Sequence, residues 1–201
     1  MVTAGVTMIG FRSAEVEALT RPLLERWTEG PVTVIDNTVT NIPLTDLWNR
    51  ILGASRADVH VLLNADVFVT PGWLPPLLAA FEQDPKVAVA GPGSNEGPQT
   101  LDIDKAPPGR FPPSEWLVDA AKRAQERFGD EIRDREIFGF CYAVRRSSWL
   151  EVGGFDPTIP FYGNDAAYNV QIRARGLRVV KVCGSYVWHV GGYSVEASRR
   201  R

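Results

Sequence analysis

Val61-Leu-Leu-Asn-Ala-Asp-Val-Phe-Val-Thr-Pro-Gly-Trp-Leu74 is the stretch that decides how this chain folds. With Val59 and His60 ahead of it, the apolar run lacks the alternation of a half-exposed strand, so it reads as a strand covered on both faces. It stops at Asn64-Ala65-Asp66 and resumes briefly over residues 67–69. Thr70-Pro71-Gly72 then turns the chain toward a helix over residues 73–83, whose first turn suits Pro75 and Pro76. Upstream, residues 5–10 read as a strand. A helix over residues 14–28 is expected to carry Val16, Leu19, Leu23 and Trp27 on one face, with Pro22 interrupting it. Residues 32–35 form a second strand ending in Asp36-Asn37-Thr38, and residues 44–54 a helix with Leu44, Leu47, Trp48, Ile51 and Leu52 along one side. A further strand follows at residues 87–90. Strands separated by helices predict an α/β fold: a mostly parallel central sheet flanked by helices, with right-handed crossovers.

Residues 91–113 are rich in Gly and Pro and include Asp102, Asp104 and Lys105; a loop of that length is usually functional or mobile. A helix is expected over residues 114–128, a strand over 138–145, a short helix over 147–152, and a helix over 165–176 with Asn164 as its N-cap. Two late strands, residues 178–182 and 185–189, form a small antiparallel element near the C-terminus, before Gly191 and Gly192.

The chain has 201 residues, 22 basic and 24 acidic side chains (net charge −2), 44% hydrophobic and 23% charged residues. These values predict one globular domain over residues 1–201 and exclude disordered and fibrous classes. A near-neutral balance also argues against attachment to nucleic acid by bulk charge. The basic run at residues 199–201 reads as a solvated tail. Cys141 and Cys183 are too few for a disulfide scaffold or a four-thiolate zinc site, and are expected as buried thiols. No signal-peptide core and no run near the ~20 apolar residues that span a bilayer are visible, so the expectation is a cytoplasmic protein without membrane insertion.

Ligands of open parallel sheets sit beyond the carboxyl ends of the strands, which draws attention to Asp36 and Asp66. Asp66 could hold a hard cation, or satisfy backbone N–H groups in a turn. Asp165, in the first turn of a helix, suits a general base, although acids in first turns also serve helix stability alone. His189, ahead of Val-Gly-Gly, could be a metal ligand; His60, within a strand, reads as structural.

Together these stretches resemble the family 2 glycosyltransferases of the GT-A (Rossmann-like) fold. Val61 through Leu74 is similar to their metal-binding segment, Gly139-Phe-Cys-Tyr-Ala-Val-Arg-Arg146 to their acceptor-side strand, Val152-Gly-Gly-Phe-Asp156 to the turn after it, and Tyr162-Gly-Asn-Asp165 with Ile172-Arg-Ala-Arg-Gly176 to their Glu-Asp motif and its helix. Ser13 falls in the first nucleotide-contacting loop, and Asp36 where the family has an aspartate that contacts the base. Asn41 and Asn49 keep the spacing of the Asn-x-Gly…Asn motif, with Pro43 in place of the glycine. Two departures remove charge: Asp-x-Asp has become Asn64-Ala65-Asp66, and Glu-Asp has become Asn164-Asp165.

The resemblance implies transfer of a sugar, with inversion, from a nucleotide diphosphate donor, UDP by default, to an acceptor hydroxyl. Mn²⁺ or Mg²⁺ would be held by Asp66 and His189, the donor contacted by Ser13, Asp36, Asn41, Asn49, Asn64 and Asp66, and the acceptor proton removed by Asp165. Trp116 and Asn164 would face the acceptor, which a glycan, a protein, a small molecule or a modified nucleic-acid base could supply. Residues 1–90 would be the donor-binding half and residues 91–201 the acceptor-binding and catalytic half, with the 91–113 loop closing over the donor. A sugar-nucleotide pyrophosphorylase would need a Gly-rich basic loop, which Gly10-Phe-Arg-Ser13 is not. A non-catalytic nucleotide-sugar or glycan-binding module on the same fold is the alternative.

Overall fold

A computed structural model describes residues 1–103 and 106–193. Asp104, Lys105 and residues 199–201, singled out above, lie outside the described residues. In chain order the elements are β1 (Ala4–Gly10), α1 (Ala14–Trp27), β2 (Val32–Asp36), α2 (Leu44–Ala54), β3 (Val59–Asn64), β4 (Val67–Val69), α3 (Leu74–Gln83), β5 (Val87–Gly93), a 3₁₀ turn (Gly97–Gln99), α4 (Ser114–Phe128), β6 (Ile132–Asp134), β7 (Cys141–Arg145), α5 (Arg146–Val152), α6 (Asn164–Ala174) and β8 (Arg178–His189).

The strands form one sheet in the order β2-β1-β3-β7-β5-β8-β4, with β6 pairing β8 off that path. β1, β2, β3, β5 and β8 share one direction, and β7 lies antiparallel between β3 and β5. The α/β architecture with helices on both faces is therefore as expected. On one face Met8, Leu24, Leu77 and Phe81 are buried where α1 and α3 cover the strands. On the other, Trp48, Leu52, Tyr142, Phe155, Tyr168 and Ile172 pack together from α2, α6, β7 and the turn after α5. A third cluster joins α4 to β8 and β4 through Phe68, Leu117, Ala120, Cys183 and Tyr186. Both cysteines are buried free thiols. No helix among the described residues is long and apolar enough to cross a membrane.

The strand expected over residues 138–145 begins only at Cys141, β6 forms where no strand is predicted, and four further details depart from the sequence expectation. The buried face of α1 is Val16, Thr20 and Leu24, leaving Leu19 exposed, because the Thr20 hydroxyl turns inward to donate to the Ala65 carbonyl at 2.7 Å. The two late strands are one twelve-residue strand, β8. Its pairing with β5 slips between Pro92↔Val182 and Gly93↔Tyr186, so the apparent break at Cys183-Gly184 is an irregularity in register. Asn164 is the first residue of α6 rather than its N-cap, and Gly163 takes that position with φ 85°, a conformation that favours glycine. The start of the 91–113 segment is not a free lid. Residues 91–93 extend β5, Gln99 is buried, Lys181 Nζ donates to the Thr100 carbonyl at 3.1 Å, and Leu101 and Ile103 join the third cluster.

His60 is structural, as its place within a strand predicted. Its Nε2 pairs with Thr7 Oγ1 at 2.9 Å and its Nδ1 with Ser55 Oγ at 3.0 Å, and burial pulls its pKa from the ordinary 6.5 to about 4. The unfolded chain therefore binds a proton that the folded protein refuses between those two values, and stability falls as pH drops through that window. One proton is worth about 1.4 kcal/mol per pH unit, so His60 should account for about 2 kcal/mol of the stability lost between pH 7 and pH 5. Urea unfolding of the parent and of His60→Gln at both pH values measures this. The variant should lose less stability on acidification, and equal losses would refute the assignment.

Candidate active site

The carboxyl ends of β1, β3 and β8, the start of β7 and the first turn of α6 surround a cavity of about 770 Å³. This is the position in which open α/β sheets hold ligands. The opposed course of β7 brings Gly139 and Phe140 there: the Asn64 N–H donates to the Phe140 carbonyl at 2.9 Å, and the Ala65 N–H to the Ile9 carbonyl at 3.1 Å. Asn41, Asn64, Asn164, Asp165 and His189 line the cavity.

Asp165 is held as a hydrogen-bond acceptor. Its Oδ2 accepts the Gly139 N–H at 2.7 Å and its Oδ1 the Ala166 N–H at 2.8 Å. A side chain on residue 139 would be blocked, since a Cβ there lies 2.5 Å from the Trp48 ring and 3.3 Å from Asp165 Oδ2. Asn164 accepts the Asp165 N–H on Oδ1 at 3.0 Å, while its buried Nδ2 has no protein partner.

Asp66 and His189 meet because β4 pairs antiparallel with β8. Val67 stands opposite His189, and the Val190 N–H donates to the Asp66 carbonyl at 3.1 Å. That pairing leaves His189 Nε2 3.3 Å from Asp66 Oδ1, and Nδ1 lies 2.5 Å from Glu96 Oε2. The ring stacks on Phe140 with centroids 4.4 Å apart. Asn95 clamps the backbone of residue 189, accepting its N–H at 2.8 Å and donating to its carbonyl at 2.9 Å. Burial is the largest single influence on this imidazole and opposes its charged form, but the hydrogen bonds and charges of Asp66 and Glu96 together outweigh it and raise the pKa.

This donor set fits a divalent cation. Asp66 Oδ1 and His189 Nε2 are close enough to be neighbouring ligands of one ion, and an oxygen with an imidazole nitrogen suits Mn²⁺, whereas Mg²⁺ prefers oxygen throughout. Glu96 on Nδ1 is the partner that usually leaves the other ring nitrogen free for a metal. Among the described residues no group of three or more His, Cys, Asp or Glu could hold a metal ion. The protein would thus supply two ligands and leave the rest to substrate and solvent.

Five expected site residues do not line the cavity: Asp66, which is buried against His189, and four others. Ser13 is buried at the start of α1 with no partner for its hydroxyl. Asp36 is exposed and accepts the Thr38 N–H at 2.8 Å, its pKa lowered by the bonds from Thr38; the neighbouring Asn37 reaches the cavity instead and braces the loop through Ile42 and Thr40. Asn49 is structural: its amide accepts from Trp149 Nε1 and the Phe155 N–H and donates to the Phe155 carbonyl, tying α2 to the turn after α5. Trp116 is buried edge-on to Trp188, with centroids 5.2 Å apart, because the apolar face of α4 must cover β8. Sequence reasoning missed Glu96, Gly139 as a hydrogen-bond donor, and Trp48 in the cavity wall. Glu96 lay inside a segment read as a loop, where no periodicity marks which side chain turns inward.

The chain matches the family model described as Glycosyl transferase family 2 over residues 16–149. It is 29% identical over 168 residues to the inactive polypeptide N-acetylgalactosaminyltransferase-like protein 5 of Macaca fascicularis, an alignment covering 75% of this chain and 36% of that protein. It is 28% identical over 113 residues to the glucosyl-dolichyl phosphate glucuronosyltransferase of Haloferax volcanii, covering 54% and 34%. The chain thus spans about a third of the length of these curated relatives. Among solved structures, GalNAc-T7 with UDP, GalNAc and Mn²⁺ superposes with a TM-score of 0.65 at 16% identity, covering 94% of this chain and 44% of that one. The mannosyltransferase PcManGT from Pyrobaculum calidifontis, in complex with GDP-Man and Mn²⁺, gives 0.61 at 15%, covering 99% and 61%. At these identities the two structures speak for the fold alone, while the family match covers more than half of the chain. On that match, this chain belongs to glycosyl transferase family 2.

Proposed function

We propose that the chain transfers a sugar from a nucleotide diphosphate donor, most simply a UDP-sugar, to an acceptor hydroxyl, with inversion at the anomeric carbon. The observation that carries this reading is the arrangement around one cavity of a fixed carboxylate, Asp165, and of the His189 ring held between Asp66 and Glu96. The described lining contains no Lys or Arg, so a diphosphate there would need its charge met by another cation. The Mn²⁺ bound by GalNAc-T7 and PcManGT in their complexes is in keeping with that need. A bound divalent ion would neutralise charge developing on the leaving diphosphate, and Asp66 with His189 would hold it. Glu96 would keep the ring proton on Nδ1 and the Nε2 lone pair toward Asp66. Asn41 and Asn64 would contact ribose or donor sugar. Asp165, its carboxylate aimed by the Gly139 and Ala166 amides, would accept the proton of the attacking hydroxyl. One base on the acceptor side suffices for inversion, because no covalent sugar–enzyme intermediate has to form.

The second reading is a nucleotide-sugar-binding module without turnover. It is favoured by the single carboxylate of Asn64-Ala65-Asp66 and by the relative whose name calls it inactive.

Replacing Asp165 by Asn should lower transfer by about 10²–10⁴-fold, the usual worth of a positioned base, with little change in UDP affinity measured calorimetrically in the presence of Mn²⁺. Unaltered turnover would remove Asp165 as the base, and UDP binding by the parent with neither transfer nor donor hydrolysis would favour the binding module. For the cation, Mn²⁺ affinity read by electron paramagnetic resonance should weaken about 10–100-fold in Glu96→Gln, the usual cost of losing a carboxylate behind a ligating histidine. EDTA should suppress transfer, and full activity in chelator would exclude the metal role of Asp66 and His189.

A further inference from the structure

We propose that the acceptor is an uncharged glycan whose terminal ring lies against an aromatic rim formed by Phe138, Phe161 and Tyr162; the inference rests on the transferase reading above and names the substrate class of that site. Four large aromatic side chains are exposed among the described residues, and three of them line this one cavity: Phe138 (40% exposed), Phe161 (48%) and Tyr162 (82%). The fourth, Phe111, packs against Phe68. Apolar side chains left in water beside a cavity with a few polar groups are the mark of a ligand surface.

The rim is built in register with the base. Phe138 directly precedes Gly139, whose N–H holds Asp165, and the Phe138 N–H is itself anchored on the buried Gln99 Oε1 at 2.8 Å. Phe161 and Tyr162 come four and three residues before Asp165 on the approach to α6. The two residues ahead of them are pinned to α2, where the Thr45 N–H donates to the Pro160 carbonyl at 3.2 Å and the Thr45 hydroxyl to the Ile159 carbonyl at 2.5 Å. Beside Asp165, Asn164 is 3% exposed and lines the cavity with its Nδ2 unpartnered, leaving one neutral N–H donor for an acceptor oxygen.

Charge selects among the occupants such a rim could take. The described lining offers Asp165 and Glu96 and no Lys or Arg, and its one imidazole, His189, is already held between Asp66 and Glu96. A phosphorylated sugar, a phosphate-linked lipid carrier or a nucleic-acid backbone would therefore bring a second anion beside the donor diphosphate with no lysine or arginine to meet it. A pyranose ring suits the site on both counts. Its C–H face is apolar enough to lie on an aromatic ring, and its edge carries hydroxyls for Asp165 to accept from and for Asn164 to donate to. A peptide hydroxyl would need main-chain partners along an extended groove, where this rim carries aromatic side chains.

Saturation-transfer NMR on the full chain with lactose, maltotriose, mannotriose or chitotriose tests this, beside glucose 6-phosphate and a serine/threonine peptide, with UDP binding in Mn²⁺ measured separately by calorimetry. At least one neutral oligosaccharide should receive saturation at its ring protons. Its Kd should weaken about tenfold in Phe161→Ala and in Tyr162→Ala, the scale of one lost aromatic contact. Both side chains are exposed enough for the variants to fold, which their melting temperatures check. Preferential saturation of the phosphosugar or the peptide, no saturation of any oligosaccharide, or oligosaccharide affinity indifferent to both variants would overturn the glycan assignment and leave the transferase reading standing if UDP binds. Oligosaccharide binding that responds to the variants while UDP fails to bind would uphold the glycan site and refute the transferase reading.

Discussion

β7 runs against both of its neighbours, so its first residues, rather than its last, meet the carboxyl ends of the parallel strands. The features of the cavity follow from that reversal. Had β7 run parallel to β3, Gly139 and Phe140 would lie at the opposite edge of the sheet, and Asp165 would lose the amide that orients it. The same reversal lays the Phe140 ring flat against the imidazole of His189. A glycine at 139 is the local condition for this approach, because the Trp48 ring already occupies the space a Cβ would take.

The electrostatic design is an imidazole between two carboxylates. Removing His189 from water disfavours its charge, yet Asp66 on one nitrogen and Glu96 on the other more than compensate, so the ring is raised in pKa despite its burial. Three chain segments far apart in sequence must arrive together for this to happen: the end of β3, the start of the turn after β5 and the end of β8. The β4–β8 pairing sets the first contact. The second depends on the 94–101 turn, which Gln99 and Lys181 tie to the sheet. Losing an anchor on that turn would disturb Glu96 through residues that do not themselves line the cavity.

His60 makes an instructive contrast. It shares with His189 a place on a sheet strand and deep burial, but its neighbours are hydroxyls rather than carboxylates, and its pKa moves the other way. Partner chemistry, not burial, separates a histidine that serves packing from one suited to a charged ligand.

Periodicity and punctuation along the chain were enough to read the α/β class and the bounds of α2 and α4, because local preference and burial agree in those segments. They were not enough to orient α1, since a Thr hydroxyl that finds a buried carbonyl is as good an inward residue as leucine, and nothing local announces that carbonyl. Nor did they separate Asn49 and Trp116, which hold the fold together, from Asn41 and Asn64, which face the cavity: the residue types are alike and only the packing of α2 and α4 distinguishes them. Which side chains carry charge, and where β1, β4, β7 and β8 end, could be read along the chain. Tertiary structure alone decided that Glu96 meets His189, that Gly139 orients Asp165 and that three aromatic rings rim one cavity, because each depends on strand direction and long-range pairing that no short window of residues encodes.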